Sequence, residues 1–316
     1  MIILNLVLFL AFLIVLIRFA GYAIRYASRL ARILNFPEFV VSFFIIALIS
    51  VLPESTISII SAFKGEPELG LGTLLGSNIA DLTLVFGIVA LFSSKGIKVK
   101  SKILRESFFY LVLLLFPLIL GFDGELSRID GLILILLGLF YFVKIYRDSN
   151  KFRKKFNHNK GGSFIKNLLL LILSFGIILL SAFLTVKFAV NFANDAKLPA
   201  VLIGTTILAL GTCLPELIFS IKAVMKNHDE LALGDLLGTV ITDATIILGL
   251  VALISPFSFN PYNIFITGGA MFIAGILTTI FMRTDKTINK TEGLLLIVFY
   301  VLFVFIEFFV TNMIGA

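Results

Sequence analysis

Apolar stretches long enough to cross the roughly 30 Å of hydrocarbon in a bilayer follow one another from end to end of this chain. The 316 residues are 59% hydrophobic and only 14% charged, with a mean hydropathy of +1.09. A soluble domain carries about 25% charged residues, so the bilayer is the solvent that fits this composition. The fold class that follows is an all-α membrane protein. Apolar runs set against polar punctuation give ten candidate spans, at 2–24, 36–63, 68–93, 104–121, 127–147, 164–193, 198–225, 230–255, 261–282 and 291–312. The apolar segment from Met1 to Ile17 lacks a basic leader and a small-residue cleavage site, so it reads as a retained first membrane helix.

The net charge of +7 is distributed as the positive-inside rule requires, in short segments between apolar runs, which argues against a nucleic-acid partner. Alternate connections hold most of the Lys and Arg, whereas the other set holds only Lys64, Arg128, Lys187 and Lys197. The basic set is therefore assigned to the cytoplasm, and both termini of this cell-membrane protein to the outside. The chain divides into a first five-helix half (1–147), a basic cytoplasmic linker (148–163) and a second five-helix half (164–316). The linker cations read as topology determinants in preference to a grip on lipid headgroups. The one cysteine, Cys213, has no partner for an internal disulfide and lies in an apolar run.

Shifting the chain by 162 residues lays Leu52-Pro53-Glu54 on Leu214-Pro215-Glu216. The register then carries Gly72, Gly76, Asp81, Thr83 and Gly87 onto Gly234, Gly238, Asp243, Thr245 and Gly249. Chance matches among Leu and Ala are common in apolar sequence, but Pro-Glu and Asp 27 residues apart, twice, are not. The repeats span about 40–91 and 202–253. Five spans per copy is an odd number, so the second copy enters the membrane from the opposite side, an inverted repeat of the kind many secondary transporters use.

Each copy places Glu54 or Glu216, and then Asp81 or Asp243, in the middle of a span. An ionised carboxylate there costs several kcal/mol, roughly, unless it is paired, protonated or metal-bound. No Lys or Arg lies near these acids within their spans. Cations or protons must then supply the compensating charge. Pro53 and Pro215 remove backbone donors, which is expected to free carbonyls near 49–51 and 211–213, and Ser50, Thr212, Ser77 and Thr239 add hydroxyl oxygens. An all-oxygen set of this kind suits a hard cation such as calcium or sodium. His158 and His228 read as loop residues, which disfavours zinc or copper. Glycines 72, 76, 234 and 238, four apart in each copy, allow close helix approach.

Leu-Pro-Glu followed by Gly-Ser-Asn-Ile-Ala-Asp, and Gly-Thr-Cys-Leu-Pro-Glu followed by Gly-Thr-Val-Ile-Thr-Asp, resemble the two α-repeats of the cation/calcium exchanger superfamily. The closest resemblance is to prokaryotic sodium/calcium exchangers. It implies an antiporter without an enzymatic reaction or a resident cofactor, exchanging calcium for sodium by alternating access and working as a monomer in the lipid bilayer. By position, Glu54 and Glu216 would be the central ligands shared by both ions. Ser50 and Thr212 would contribute oxygens, Ser77 and Thr239 would complete outer sites, and Asp81 and Asp243 would be second-tier ligands or proton acceptors. This chain has Ile49-Ser50-Val51 where the family usually has Gly-Thr-Ser, and Asp81 where such exchangers tend to have Asn. Those departures lend weight to a proton-coupled exchanger of calcium, magnesium or manganese. More distant readings are a passive cation channel and an intramembrane aspartyl protease, whose flanking Gly-x-Gly is missing around Asp81 and Asp243.

Overall fold

A computed structural model describes residues 2–33, 50–99, 108–149, 163–196, 200–261 and 264–314. The first half contains α1 (Ile2–Ile33), α2 (Leu52–Phe63) and α3 (Pro67–Ala80), and α3 runs through a π turn at Asp81–Val85 into α4 (Phe86–Phe92). Strand β1 (Ile97–Lys98), α5 (Phe108–Leu120), β2 (Glu125–Leu126) and α6 (Arg128–Ser149) follow. The second half opens with the long α7 (Phe164–Ala196) and α8 (Ala200–Ile203), and a π turn at Gly204–Leu208 leads to α9 (Ala209–Thr212) and α10 (Leu214–Met225). Next, α11 (Asp229–Ile241) continues through a π turn at Thr242–Ile247 into α12 (Leu248–Ile254). The chain ends with β3 (Phe257–Ser258), a π turn at Ile264–Gly268, α13 (Gly269–Arg283), β4 (Thr287–Ile288) and α14 (Lys290–Ile314).

Among the described residues, six continuous helical stretches can cross a membrane by length and composition: 2–23, 67–92, 164–196, 229–254, 265–283 and 290–309. Gly204–Thr212 and Leu214–Met225 together make a further stretch, broken by 42°. Pro215 explains the break, because it has no N–H to continue the ladder and is tolerated only in a first turn. Pro53 and Pro67 occupy the same kind of position in α2 and α3. The first part of the expected span 36–63 and nearly all of the expected linker 148–163 lie outside the described residues.

The two repeats fold alike, with α2 and α10, and α4 and α12, starting and ending on positions 162 apart. Even the turn after α2 recurs: Gly65 and Asn227, again 162 apart, both take positive φ, at 78° and 58°. Contacts between the halves are reciprocal. A Cβ added to Gly87 of α4 would lie 2.5 Å from Gly293 O of α14, and one added to Gly249 of α12 would lie 2.6 Å from Gly131 O of α6. The same shift relates Gly87 to Gly249 and Gly131 to Gly293, so a single glycine-on-glycine crossing is made twice with the halves exchanged. At the ends of the bundle, β1 pairs antiparallel with β4 and β2 with β3.

The core forms two apolar clusters, and the smaller one joins α1 and α7 to Ile57 of α2, Leu69 of α3 and Ile203 of α8. Phe9, Leu13 and Leu16 of α1 interleave with Ala182, Val186, Ala189 and Ala193 of α7 in one apolar cluster. A larger cluster holds α3 to α6 and α10 to α14. Outward side chains such as Ile3, Leu4 and Val7 on α1 and Leu169, Ile172 and Leu180 on α7 are exposed, as a lipid-facing surface requires. Asn5 Nδ2 donates to Asp195 Oδ2 at 2.8 Å, which ties the start of α1 to the end of α7.

Candidate functional site

The centre of the molecule is built by the helices carrying the repeated acids. In their most apolar stretches, 83% of residues 67–92 and 78% of residues 229–254 are buried, against 17% for residues 2–23. Apolar sequence alone does not separate these helices from lipid-facing ones, but the small residues along them do. A Cβ on Gly76 would lie 2.6 Å from Thr205 O, and one on Gly204 would lie 2.6 Å from Leu69 O, so α3 packs directly on the backbone of the π turn before α9.

All eight residues singled out from the sequence, Ser50, Glu54, Ser77, Asp81, Thr212, Glu216, Thr239 and Asp243, are fully buried. Glu54 and Glu216 lie in the first turns of α2 and α10, each just after its proline. Helix N-termini carry unpaired N–H groups and a positive dipole end, which favours a carboxylate there. Asp81 opens one π turn, and Asp243 is the second residue of another. There the amides of Phe86 and Leu248 reach back five residues to the carbonyls of Asp81 and Asp243. Such bulges widen a helix locally and collect at functional sites.

Hydroxyls cross between the repeats. Ser50 Oγ donates to Asp235 Oδ1 at 2.9 Å and lies 3.0 Å from Thr239 Oγ1. Ser77 Oγ bonds its own helix at Leu74 O, 3.0 Å away, and approaches Asp243 Oδ2 at 3.4 Å. Thr212 Oγ1 donates to Ala209 O at 3.2 Å, so its oxygen lone pairs remain available. The Cys213 thiol points at Ser77 O, 3.5 Å away, and is a buried free cysteine.

The acids lie within electrostatic reach of one another. Glu54 is acted on by Asp81 and Asp235, Glu216 by Glu54, Asp81 and Asp235, and Asp243 by Glu54 and Asp81. Among the described residues, both oxygens of Glu54, Asp81 and Glu216, and one oxygen each of Asp235 and Asp243, have no hydrogen-bond partner. No Lys or Arg is buried among the described residues. Leaving a buried carboxylate unpaired costs far more than any single contact here returns, so the centre is built to take positive charge. As placed, no three carboxylate, thiol or imidazole groups among the described residues close on one metal position. Asn78 Oδ1 and the Tyr110 and Tyr300 hydroxyls are further buried oxygens without a hydrogen-bond partner.

Asp235 is the acid that sequence reasoning missed. It is an acid in an apolar span, but its mate under the repeat is Thr73, so the repeat does not mark it. The π turns were also unforeseen, because nothing in residue type marks them. The expectation of freed carbonyls needs correction. Val51 O accepts from the Ser55 amide at 2.9 Å, and Cys213 O accepts from the Leu217 amide at 3.0 Å. Only the carbonyl four residues before each proline loses its helical donor by covalent necessity, which is Gly211 in the second copy. Residue 49 of the first copy lies outside the described residues.

Membrane-length helices around a buried acidic centre define the class: an integral membrane ion transporter, not an enzyme. The family model for sodium/calcium exchanger protein matches residues 4–146 and 166–309, and the chain belongs to that family. Sodium/calcium exchanger MaX1 of Methanosarcina acetivorans is 27% identical over 352 residues, covering 98% of this chain and all of that protein. Inner membrane protein YrbG of Escherichia coli is 31% identical over 248 residues, 74% of this chain and 75% of its own length. A solved structure of the sodium-calcium exchanger NCX_Mj, soaked with 2.5 mM Na+ and 10 mM Sr2+, matches with a TM-score of 0.70 at 27% identity. That match covers 96% of this chain and 98% of the other.

Proposed function

We propose that this protein exchanges calcium for sodium across the cell membrane, the two ions competing for one buried centre. The observation that carries the reading is the set of unpartnered carboxylate oxygens in a core where no described Lys or Arg is buried. Glu54 and Glu216, at facing helix starts, act as the central ligands. Ser50, Thr212, Ser77 and Thr239 supply neutral oxygens, and Asp81 and Asp243 complete the outer positions. Family membership and the match to NCX_Mj support this assignment. No resident cofactor takes part; the ions are the cargo.

The architecture we infer has ten spans in two inverted five-helix halves joined by the basic cytoplasmic linker, with both termini outside and the monomer as the working unit. The reciprocal glycine crossings and paired strand ladders support a two-fold relation between the halves. Because a sealed site with uncompensated charge cannot cross hydrocarbon cheaply, only the ion-occupied centre passes between inward-open and outward-open states. The α1–α7 pair, whose helices pack more extensively on each other than on any other element, is the body that moves against the rest.

The test is calcium uptake by proteoliposomes carrying Glu54→Gln or Glu216→Gln. Either substitution keeps shape and removes one charge, and uptake should be lost. Retained exchange contradicts the assignment. Proton coupling to calcium, magnesium or manganese is the second reading. Asp235 favours it, since five buried acids carry more charge than one divalent ion balances.

A further inference from the structure

A cleft of about 730 Å³ opens between α1 and α10 and reaches Pro215 beside Glu216. Its deep walls are apolar, formed by Ile14 and Ile17 of α1 and by Leu214, Ile218 and Phe219 of α10. Five cations also line it: Arg18, Arg25 and Arg29 come from α1, and Lys222 and Lys226 from the end of α10 and just beyond it. Among the described residues, no Asp or Glu lines it. The Arg25 and Arg29 guanidinium groups lie 5.7 Å and 5.9 Å from the rings of Tyr22 and Tyr26, which holds their planar heads along α1.

Charge sign rules out a cation vestibule as the purpose of this cleft, because five fixed positive charges repel the transported ions from its mouth. Topology determination alone does not account for it either. The positive-inside rule needs cations in a connection, whereas here they converge from two helices on one pocket, with Arg18 inside the apolar stretch 2–23. An occupant must carry an anionic head for the mouth and an apolar tail for the walls.

We infer that this cleft binds one anionic phospholipid, its phosphate held by Arg25, Arg29 and Lys222 and an acyl chain lying along Ile14, Ile17 and Ile218. Arginine forks suit phosphate oxygens, and long basic side chains bury their stems while keeping their heads at the interface. The occupant stands between the α1 body and the helix that begins beside Glu216, so its presence bears on how freely those bodies separate. That consequence rests on the exchange reading above, but the binding itself does not.

Native mass spectrometry of the detergent-purified full chain tests the binding directly. The probes are phosphatidylglycerol, phosphatidylcholine with the same acyl chains, and inorganic phosphate. One phosphatidylglycerol should be retained at collision energies that strip phosphatidylcholine, and phosphate should not displace it. The triple variant Arg25→Gln, Arg29→Gln, Lys222→Gln should lose retention by at least about tenfold. Ile218→Trp, which fills the chain slot and leaves every charge in place, should lose it as well. Both variants should bind calcium in calorimetry as the parent does, which shows that they are folded. Equal retention of the two lipids, unchanged retention in both variants, or displacement by phosphate overturns the inference.

Discussion

A carboxylate in the middle of a membrane helix is the most demanding side chain in this protein, and five of them, Glu54, Asp81, Glu216, Asp235 and Asp243, are fully buried. Asp235 differs from the others in being tied to a hydroxyl of the opposite repeat, Ser50, at 2.9 Å. Asp235→Asn retains an acceptor for that hydroxyl and removes only the charge. It should weaken calcium binding in calorimetry by about tenfold, or ~1.4 kcal/mol, while leaving the fold intact. An unchanged affinity would place Asp235 outside the ion's field. Glu307, which reads from the sequence as an acid near the outer end of its helix, is also buried, but Thr267 Oγ1 lies 3.3 Å from each of its oxygens. Having partners, it makes no comparable demand for a cation. Residue-level legibility followed chemical cost. Acids, prolines and their spacing could be read because few structural roles justify them in hydrocarbon, whereas Asn78, Tyr110 and Tyr300 look like ordinary membrane-helix residues until their neighbours are known.

At the scale of elements, the repeat made the helices around the site legible, and what it left unread was geometric. The break at Cys213 follows from Pro215, but the π turns at Asp81 and Thr242 arise from packing, with Thr278 Oγ1 donating to Leu82 O at 2.7 Å inside the first of them. Of the glycines spaced four apart, Gly76 does meet a neighbouring backbone. The crossings that join the halves, however, use Gly87, Gly131, Gly249 and Gly293. Their pairing requires knowing which helices touch. Gly87→Ala and Gly249→Ala should each destabilise the protein by about 1–3 kcal/mol, seen as similar drops in melting temperature in detergent. Very unequal drops would count against equivalent crossings. The α1–α7 pair makes a sharper prediction. A Cβ on Gly211 would lie 2.8 Å from Leu13 Cδ2, so a disulfide between Leu13→Cys and Gly211→Cys, in a Cys213→Ala background, ties α1 to the rest of the bundle. Oxidation should arrest exchange and reduction should restore it. A short cross-link replacing the Asn5–Asp195 contact, which lies within the α1–α7 pair, should be tolerated.

For the whole molecule, the physical logic is charge compensation. On the proposed exchange reading, a core with unpartnered acid oxygens and no described buried base crosses between two membrane-facing states only when cations fill it, and any two cations that do so are exchanged for each other. Composition and periodicity made the membrane class plain, and the duplicated acids pointed to the kind of cargo. The coupling ion was not legible, because sodium, calcium and protons all answer the same excess of negative charge, and the difference between them lies in oxygen geometry. The most direct measurement is calcium flux into proteoliposomes under an imposed sodium gradient, set beside the same flux under a pH gradient of equal driving force. The account predicts rapid calcium entry when sodium is loaded inside, none without a counter-ion gradient, and none in Glu54→Gln under either condition. Calcium entry that proceeds with no counter-ion gradient, or that survives Glu54→Gln, would contradict it.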